Sequence, residues 1–280
     1  MALRIRCEGY IETTFVQFHV CLLLLVSIRL RLSPQSTQPA ELYRVPMNGL
    51  IALVGSGEYL PVMEDIDRYL LASLNVKTPH VVCIPAAAGQ EGDESVNRWL
   101  RMGLEHFQRL GADVKALRII NQASANDAQY ESVLENADLI YFSGGNPQYL
   151  FETMHGSRAW AAMQKAWSSG AVYAGCSAGA MILSERIPSF RLAGTRAGFG
   201  LVPAKFIIPH FDAIPSLWKP LVYALKSQLK KGQRMLGVDE NTALVGQLKG
   251  EWKVMGKGKA HVFTNKENIS YESGQSISLH

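Results

Sequence analysis

The sequence has few cysteines, little net charge and no apolar run long enough to span a bilayer. Its four cysteines contain no C-x-x-C pair, so neither a zinc site nor a redox motif is indicated. The apolar run at 19–28 has about half of the roughly 20 residues that a transmembrane helix needs. The net charge is +4, without a basic stripe that interleaves with aromatic residues. We therefore expect no nucleic-acid or membrane partner, no metal and no organic cofactor.

Residues 1–46 differ from the rest of the chain. Their apolar run resembles the core of a signal peptide, but Glu8 and Glu12 precede it and RLRL follows it, where a small-residue cleavage site would lie. We interpret 1–46 as a poorly ordered extension, 47–265 as the functional domain and 266–280 as a polar tail that frays. This predicts a cytoplasmic protein. Secretion is the alternative if the extension acts as a signal.

From Met47 onward, short apolar runs alternate with longer amphipathic ones. Hydrophobic residues make up 48% of the chain and charged residues 19%, which indicates a folded core. Up to Ser177 the pattern predicts strands at 50–54, 80–88, 112–117, 138–145 and 171–175, with helices at 62–74, 95–111, 126–137 and 158–170. This alternation predicts an α/β domain with a mostly parallel sheet that is covered on both faces.

Beyond Ser177 the apolar runs become short and closely spaced. They predict extra strands, some of them antiparallel, at one edge of the sheet, at 205–211, 234–239, 242–248, 251–256 and 260–264. A helix is expected between them at 216–232. We see no internal repeat, and one domain accounts for the whole pattern.

Glycine-rich or proline-stopped segments follow several predicted strands, at 55–58, 85–89, 144–146 and 175–179. In parallel α/β sheets, ligands bind outside the carboxyl ends of the strands. The sequence therefore predicts that these segments share one cleft.

The motif Gly-Cys-Ser-Ala-Gly at 175–179 is the strongest candidate for a reactive group. A G-x-S-x-G pattern also occurs by chance, but here an apolar strand precedes it and a helix follows, as a nucleophile elbow requires. The turn would strain Ser177, and the helix that begins at Ala178 would aim its free N–H groups at the same place. Ser177 is the predicted nucleophile. The alternative is a structural serine in a glycine-rich bend.

Backbone donors for a developing oxyanion are expected in two loops. The N–H of Ala178 is one donor. The second would come from the segment SGGNPQ, because Gly144 and Gly145 let the backbone approach a substrate closely. That segment also fits a tight turn before a helix that Pro147 opens, and the two interpretations are compatible.

His210 is the predicted general base. It follows the apolar strand FIIP, so it should lie at a strand end that faces the cleft. The other histidines fall in the extension, in the tail, within or at the end of a helix, or near strand starts: His19, His280, His106, His155, His80 and His261.

The segments YFSGGNPQYL, GCSAGA, PHF and LGVDENTALV occur in this order, and the chain thereby resembles the dipeptidase E and cyanophycinase family of serine peptidases. The resemblance spans roughly 49–263. It implies a three-layer αβα sandwich similar to class I glutamine amidotransferases, with Ser177 as nucleophile and His210 as base. Gly144, Gly145 and Asn146 match the loop that contacts oxyanion and substrate. The implied activity is hydrolysis of a peptide or isopeptide bond, next to an acidic residue, in a small peptide.

Three acids compete as the group that orients the base. Glu240 matches the cyanophycinase-type segment whose glutamate has this role, and it is the preferred candidate. Asp212 competes because HFD resembles the His-x-Glu of the amidotransferases. Glu185 lies nearer the place where dipeptidase E carries its aspartate. A turn acid in DENT is the structural alternative for Glu240.

The residues before His210 depart from both named members of the family. Dipeptidase E carries NPHF where this chain has IPHF, and cyanophycinases carry an acid and a glutamine at the positions of Ile208 and Pro209. Because those polar groups help to recognise an acidic substrate, the sequence defines the reaction class better than the substrate. It also leaves open exopeptidase or isopeptidase action and the oligomeric state, for which a homodimer is one candidate.

Cys176 is expected to be a packing residue. The related amidotransferases carry cysteine at the elbow position, which is Ser177 here, and a shift of one residue along a strand turns a side chain to the opposite face. We therefore predict that Cys83 and Cys176 are buried small hydrophobes. Two functional alternatives stay open: an amidotransferase-like module that acts through Cys176, and a non-catalytic member of the fold that binds a small ligand.

Overall fold

Buried apolar runs form the parallel strands in the first half of the domain. The computed structural model describes residues 49–189 and 194–279. The first five strands are β1 (Ile51–Val54), β2 (His80–Ile84), β3 (Asp113–Ala116), β4 (Leu139–Phe142) and β5 (Val172–Cys176). Each overlaps the run that predicted it. The interpretation of 1–46 as a poorly ordered extension lies outside the described residues.

Amphipathic segments between these strands form the helices. They are α1 (Glu64–Ser73), α2 (Asp93–Arg109), α3 (Gln122–Ala125), α4 (Glu131–Glu135), α5 (Pro147–Met154), α6 (Arg158–Ser168) and α7 (Ala178–Met181). Gly111 follows α2 with φ = 88°, a conformation that glycine adopts without strain, and so ends the helix as predicted.

The helix predicted at 126–137 is present with shorter bounds, since the 3₁₀ turn Ala128–Tyr130 continues directly into α4, and the short helix α3 precedes it. The side chain of Asn121 caps α3, and Asn126 ends it. Asp127 then accepts the backbone N–H of Gln129 and begins a separate 3₁₀ turn, Ala128–Tyr130, before α4. Short Asx side chains that bond to nearby backbone compete with a continuous helix.

The second half of the domain consists mainly of short strands. They are β6 (Arg186–Ser189), β7 (Gly194–Ala197), β8 (Phe206–Ile208), β9 (Met235–Val238), β10 (Thr242–Gly246), β11 (Glu251–Gly256), β12 (Ala260–Phe263), β13 (Asn268–Tyr271) and β14 (Ser276–Ser278). The helix α8 (Lys219–Ser227) lies between β8 and β9, preceded by the 3₁₀ turn Ser216–Trp218, and is shorter than predicted.

The described residues form an eight-stranded central sheet in the order β14-β11-β10-β1-β5-β4-β2-β3. Strands β1 to β5 run parallel, and β10, β11 and β14 extend one edge antiparallel. Buried side chains of α4 to α7 pack on one face, and those of α1 and α2 pack on the other. This three-layer α/β fold, with antiparallel strands added at the C-terminal edge, is the fold class that the sequence predicts.

Four of the later strands build a second sheet, in the order β13-β12-β9-β8, which the sequence did not separate from the edge of the first. Its β8 and β9 run parallel, with Ile208 opposite Gly237, so both strands end on the same side. The backbone of Gly55 passes so close to Asp239 that a Cβ at Gly55 would lie 2.0 Å from the Asp239 carbonyl oxygen. The chain after β1 thus packs directly against the end of β9.

The polar C-terminal tail is ordered, and the expectation that it frays is wrong. Residues 268–271 pair with β12, and residues 276–278 pair with β11. Ile277 and Leu279 are buried in the main core, so two apolar side chains fix a segment whose average composition is polar. No helix in the described parts of the chain is long and apolar enough to cross a membrane.

Strand register aligns the loops that the sequence assigns to the cleft. Val54 lies opposite Cys176, and Phe142 lies opposite Gly175, so β1, β5 and β4 end side by side. Strand β10 runs antiparallel beside β1 and therefore begins where β1 ends. The segments after β1, β4, β5 and β9 converge as a consequence.

Candidate active site

Ser177 occupies a sharp turn between β5 and α7. Its φ of 49° and ψ of −103° lie outside the regions that L residues favour, at a cost on the order of 1–3 kcal/mol. A Cβ at Gly175 would lie 2.5 Å from the backbone of Gly179, so the first glycine of the motif lets the turn close on itself. A Cβ at Gly179 would approach Phe142 to 3.0 Å. The two glycines thus permit the strained conformation of Ser177.

His210 lies beside Ser177 on the segment that follows β8. Its Nε2 is 3.1 Å from Ser177 Oγ, and its Nδ1 is 2.9 Å from Glu240 Oε1. The backbone φ of His210 is 51°, which is uncommon for a residue that is not glycine. The three side chains thus form a continuous hydrogen-bonded series on residues that are far apart in the sequence.

The three candidate acids occupy different positions. Glu240 contacts the imidazole, whereas Asp212 Oδ1 accepts the backbone N–H of Glu240 at 2.8 Å. The contact of the Glu185 carboxylate is with Gln233 Nε2 at 3.2 Å, not with His210. The structure therefore brings Ser177, His210 and Glu240 together, with Asp212 supporting the backbone of Glu240.

The predicted oxyanion donors divide into two groups. The N–H of Gly144 donates to Glu58 Oε1 at 2.8 Å and is already occupied. The N–H groups of Gly145 and Ala178 have no acceptor among the described residues. Gly145 has φ = 142°, and a Cβ there would lie 2.5 Å from the carbonyl of Ala87. Glycine is therefore required at this position, and the unpaired N–H groups narrow the candidate donors to Gly145 and Ala178.

Asn146 has a structural contact rather than a free side chain. Its Oδ1 accepts the backbone N–H groups of Gln148 and Tyr149, both at 3.1 Å, and so caps the N-terminus of α5. Its amide nitrogen lies 3.4 Å from Gln90 Oε1. The segment that the resemblance assigns to substrate contact is thus a helix-capping turn, and Gly145 is the residue in it with an unpaired N–H.

Glu58 is a residue of the site whose contacts sequence reasoning missed. It is buried, and its second carboxylate oxygen accepts the thiol of Cys176 at 2.9 Å. Its place after a predicted strand was the only signal, because nothing in the segment GSGE distinguishes a buried acid from a solvated one. Glu58 contacts both the loop that carries Gly144 and the residue before Ser177.

Cys176 is buried against the face of the sheet opposite the main core, in agreement with its predicted packing role. Burial raises the pKa of its thiol well above the ordinary value, and the nearby Glu58 carboxylate acts in the same direction. A protonated thiol is a poor nucleophile. The residue that faces His210 is Ser177.

A cavity of about 350 Å³ lies beside the segment that carries His210. Phe211 and Asp212 contribute to its wall, and Lys219 and Lys226 of α8 bring positive charge to it. His261, whose ring lies tilted against Phe211 and whose Nε2 is 2.8 Å from Asp239 Oδ1, lines the same cavity. The described residues contain no cluster of three or more His, Cys, Asp or Glu side chains suited to a metal ion.

Comparison with known proteins agrees with this fold. The model of Peptidase family S51 matches residues 50–250. Cyanophycinases from Nostoc sp. (strain PCC 7120 / SAG 25.82 / UTEX 2576) and Trichormus variabilis (strain ATCC 29413 / PCC 7937) are each 22% identical over 241 residues, covering 82% of this chain and 75% of theirs.

Two solved structures are similar. A peptidase from an acI-B1 Actinobacterium superposes with a TM-score of 0.75 and 35% identity, over 84% of this chain and 98% of the other. A putative peptidase E protein from Listeria monocytogenes EGD-e gives a TM-score of 0.51 at 20% identity, over 80% and 98% of the two chains. At that identity the second comparison supports the fold alone.

The fold and these relatives define a peptidase of the serine class. The chain belongs to peptidase family S51, because the family model covers well over half of its length.

Proposed function

We propose that this chain hydrolyses peptide or isopeptide bonds through Ser177, His210 and Glu240, in small substrates that contain Asp or Glu. The observation that carries the proposal is the pair of contacts made by His210. One ring nitrogen is 3.1 Å from Ser177 Oγ, and the other is 2.9 Å from Glu240 Oε1. A nucleophile, a base and a third group that orients the base are the elements of serine hydrolysis.

The proposed reaction proceeds in two steps. His210 takes the hydroxyl proton of Ser177 as Oγ attacks the carbonyl carbon, and the N–H groups of Gly145 and Ala178 donate to the developing oxyanion. His210 then gives the proton to the leaving amine, and water hydrolyses the acyl-serine with the same histidine as base. Glu240 accepts a hydrogen bond from the Nδ1–H of His210, without taking the proton, and stabilises the imidazolium that forms in each step.

Positive charge in the cavity that begins at Phe211, the residue after His210, supports an acidic substrate, although Ser177, His210 and Glu240 do not line that cavity. Lys219 and Lys226 line the adjacent cavity, where they would attract a carboxylate. The apolar Ile208 and Pro209 in front of His210 supply no such charge, so recognition would depend on α8. Asp212 lies in the same wall and opposes part of this attraction.

Labelling with a fluorophosphonate tests the nucleophile. The probe should modify one residue, found by mass spectrometry in the peptide that contains Ser177, and Ser177→Ala should remove the modification. Iodoacetamide serves as the matched thiol probe. Phosphonate labelling that persists in Ser177→Ala, or hydrolysis of glutamine that depends on Cys176, would contradict the proposal and favour an amidotransferase-like site.

Matched peptides test the substrate class. Short peptides that contain Asp or Glu should be cleaved faster than the same peptides with Asn or Gln, and Lys219→Ala with Lys226→Ala should reduce that preference. Equal cleavage of both sets by the wild-type enzyme would retain the serine mechanism and remove the acidic specificity.

A further inference from the structure

Glu58 is the side chain that joins the two catalytic loops. It follows β1, and its two carboxylate oxygens have different partners. Oε1 accepts the N–H of Gly144 at 2.8 Å, in the loop after β4, and Oε2 accepts the thiol of Cys176 at 2.9 Å, immediately before Ser177. The side chain is buried, so water does not compete for either contact.

The position of Glu58 follows from the order of the strands. Strand β5 lies between β1 and β4, so a side chain that follows β1 must pass beneath the end of β5 to reach the loop after β4. Gly57, with φ = 86°, and Tyr59, with φ = 64°, give the backbone the turn that directs Glu58 inward. Glycine adopts a positive φ freely, but the positive φ of Tyr59 is a backbone cost that a solvated acid would not require.

The space at Gly144 shows how closely the loop is held. A Cβ at this residue would lie 3.0 Å from Glu58 Oε1 and 3.4 Å from Ser177 Cβ. The α-carbon of Gly144 is therefore packed between the carboxylate and the nucleophile. The next peptide group carries the unpaired N–H of Gly145, so the direction of that N–H depends on how Gly144 is held.

We propose that Glu58 is a positioning residue that fixes the Gly144–Gly145 peptide so that the Gly145 N–H points at the oxyanion. The proposal rests on the proposed serine mechanism. Glu58 occupies the Gly144 N–H, which excludes this group as a donor and leaves Gly145 and Ala178 for the substrate. Without the carboxylate, the Gly144 N–H loses its acceptor and the loop is anchored only on its Gly145 side, against Ala87, so the Gly145 donor is less well preorganised.

The rate of fluorophosphonate labelling measures this effect, because the phosphonyl oxygen occupies the oxyanion position. In the reaction the Ser177 Oγ–P bond forms, the P–F bond breaks, fluoride leaves and the hydroxyl proton passes to His210. The dependence of the rate on probe concentration separates the inactivation constant from the affinity for the probe. Glu58→Ala should lower the inactivation constant about 100-fold and leave the affinity within about threefold, the result expected for a lost transition-state donor.

Three further variants separate positioning from general destabilisation. Glu58→Gln keeps an oxygen for the Gly144 N–H and should recover the inactivation constant to within about tenfold of wild type. Cys176→Ala removes only the thiol contact and should label at nearly the wild-type rate. Asp67→Ala removes another buried carboxylate, which contacts His106 away from the site, and should lower the melting temperature without changing the inactivation constant.

The outcomes distinguish the two proposals. If wild-type protein is labelled at Ser177 and folded Glu58→Ala is labelled equally fast, the positioning role is wrong and the serine mechanism stands. If Glu58→Ala does not fold, Glu58→Met takes its place, because it fills a similar volume without an acceptor for the Gly144 N–H. An inactivation constant for folded Glu58→Met at least about tenfold below that of Glu58→Gln, with unchanged affinity, supports the role, and equal constants for the two variants overturn it. If wild-type protein is not labelled at Ser177, both proposals fail.

Discussion

The two sheets supply different parts of the candidate site and differ in what covers them. The central sheet carries Ser177 and the Gly144–Gly145 loop on strands that are buried along their whole length and covered by helices on both faces. The second sheet carries His210 and Glu240. One face of this sheet packs into the main core through β8 and β9, a small cluster of apolar side chains beneath α8 covers the other face, and the edge strand β13 is largely exposed.

This difference separates two requirements of the proposed chemistry. A nucleophile in a strained backbone conformation needs rigid packing around it, and the central core supplies this packing around Ser177. The base and the acid that orients it are less enclosed, with 44% of the His210 side chain and 40% of the Glu240 side chain exposed. The base and the acid therefore depend on the segments after β8 and β9 for their position, and on each other for orientation.

The largest expected effect comes from removing the contact between Ser177 of the central sheet and His210 of the second sheet. Ser177→Ala and His210→Ala should each lower turnover by several orders of magnitude, on the order of 10⁴-fold or more, because nucleophile and base act as one unit. The double variant should be only slightly worse than either single variant. Steady-state hydrolysis of an acidic peptide measures all three, and additive losses would mean that the two residues act independently.

Within the second sheet, the three acids should rank by their contacts. Glu240→Gln should lower turnover about 10²- to 10⁴-fold, since the amide lacks the charge that stabilises the His210 imidazolium and can hold the ring in the wrong tautomer. Asp212→Asn should cost about tenfold or less, because an amide oxygen can still accept the Glu240 N–H. Glu185→Gln is the matched control and should stay at the wild-type rate. A folded Asp212→Asn that is inactive beside an active Glu240→Gln would reverse the assignment.

Equal truncations in the two cores would sharpen the comparison. Leu53→Ala in β1 and Leu225→Ala in α8 each remove a buried side chain, and each should lower the free energy of unfolding by about 2–5 kcal/mol in urea titrations. Well below the transition, Leu225→Ala should reduce labelling of Ser177 more than Leu53→Ala does, because α8 supports the sheet that carries His210. A larger loss of labelling in Leu53→Ala would contradict this division of roles.

A smaller effect is expected from a buried acid in α1. Burial raises the pKa of the Asp67 carboxyl, although its hydrogen bond with His106 opposes the shift. The folded state then binds this proton more tightly than the unfolded chain. The protonated Asp67 therefore contributes to the free energy of unfolding in full below its pKa in the unfolded chain. This contribution is lost as the pH rises through its higher pKa in the folded state. The difference in free energy of unfolding between wild type and Asp67→Asn should thus decline as pH rises from about 4, the unfolded pKa of Asp. Urea titrations at several pH values measure this difference, and a difference that does not change with pH would refute the prediction.

The smallest expected effect concerns the two buried thiols behind the nucleophile. Burial raises the pKa of Cys83 to about 12, and that of Cys176 lies well above its usual range. In native protein at pH 8, the peptides that contain these residues should therefore remain unmodified by iodoacetamide, and they should react after denaturation. Modification of Cys176 in the folded protein, with loss of activity, would restore the thiol alternative.

The sequence predicted the central sheet better than the second sheet, and the reason is physical. Ser177 lies in a motif whose strand and helix flanks are local, so its neighbourhood could be read from contiguous residues. His210 was found because FIIP predicts a strand end. The separation of the second sheet could not be predicted, because pairing partners of short strands lie far apart in sequence.

Long-range contacts also explain what was missed around the site. The preference for Glu240 came from a family resemblance, since nothing local distinguishes it from Asp212. The bridge made by Glu58 spans 86 residues to Gly144 and 118 to Cys176. The tail is polar in average composition, but the burial of Ile277 and Leu279 in the main core holds it in place.

The positive φ angles of Ser177 and His210 imply a trade between activity and stability. Glycine adopts such angles without a steric penalty, so the native backbone at both positions favours glycine, which has no reactive side chain. Ser177→Gly and His210→Gly should therefore unfold at higher temperature than the wild type while losing catalysis. Selection for thermal stability alone would favour glycine at both positions, whereas selection for turnover retains the reactive side chains.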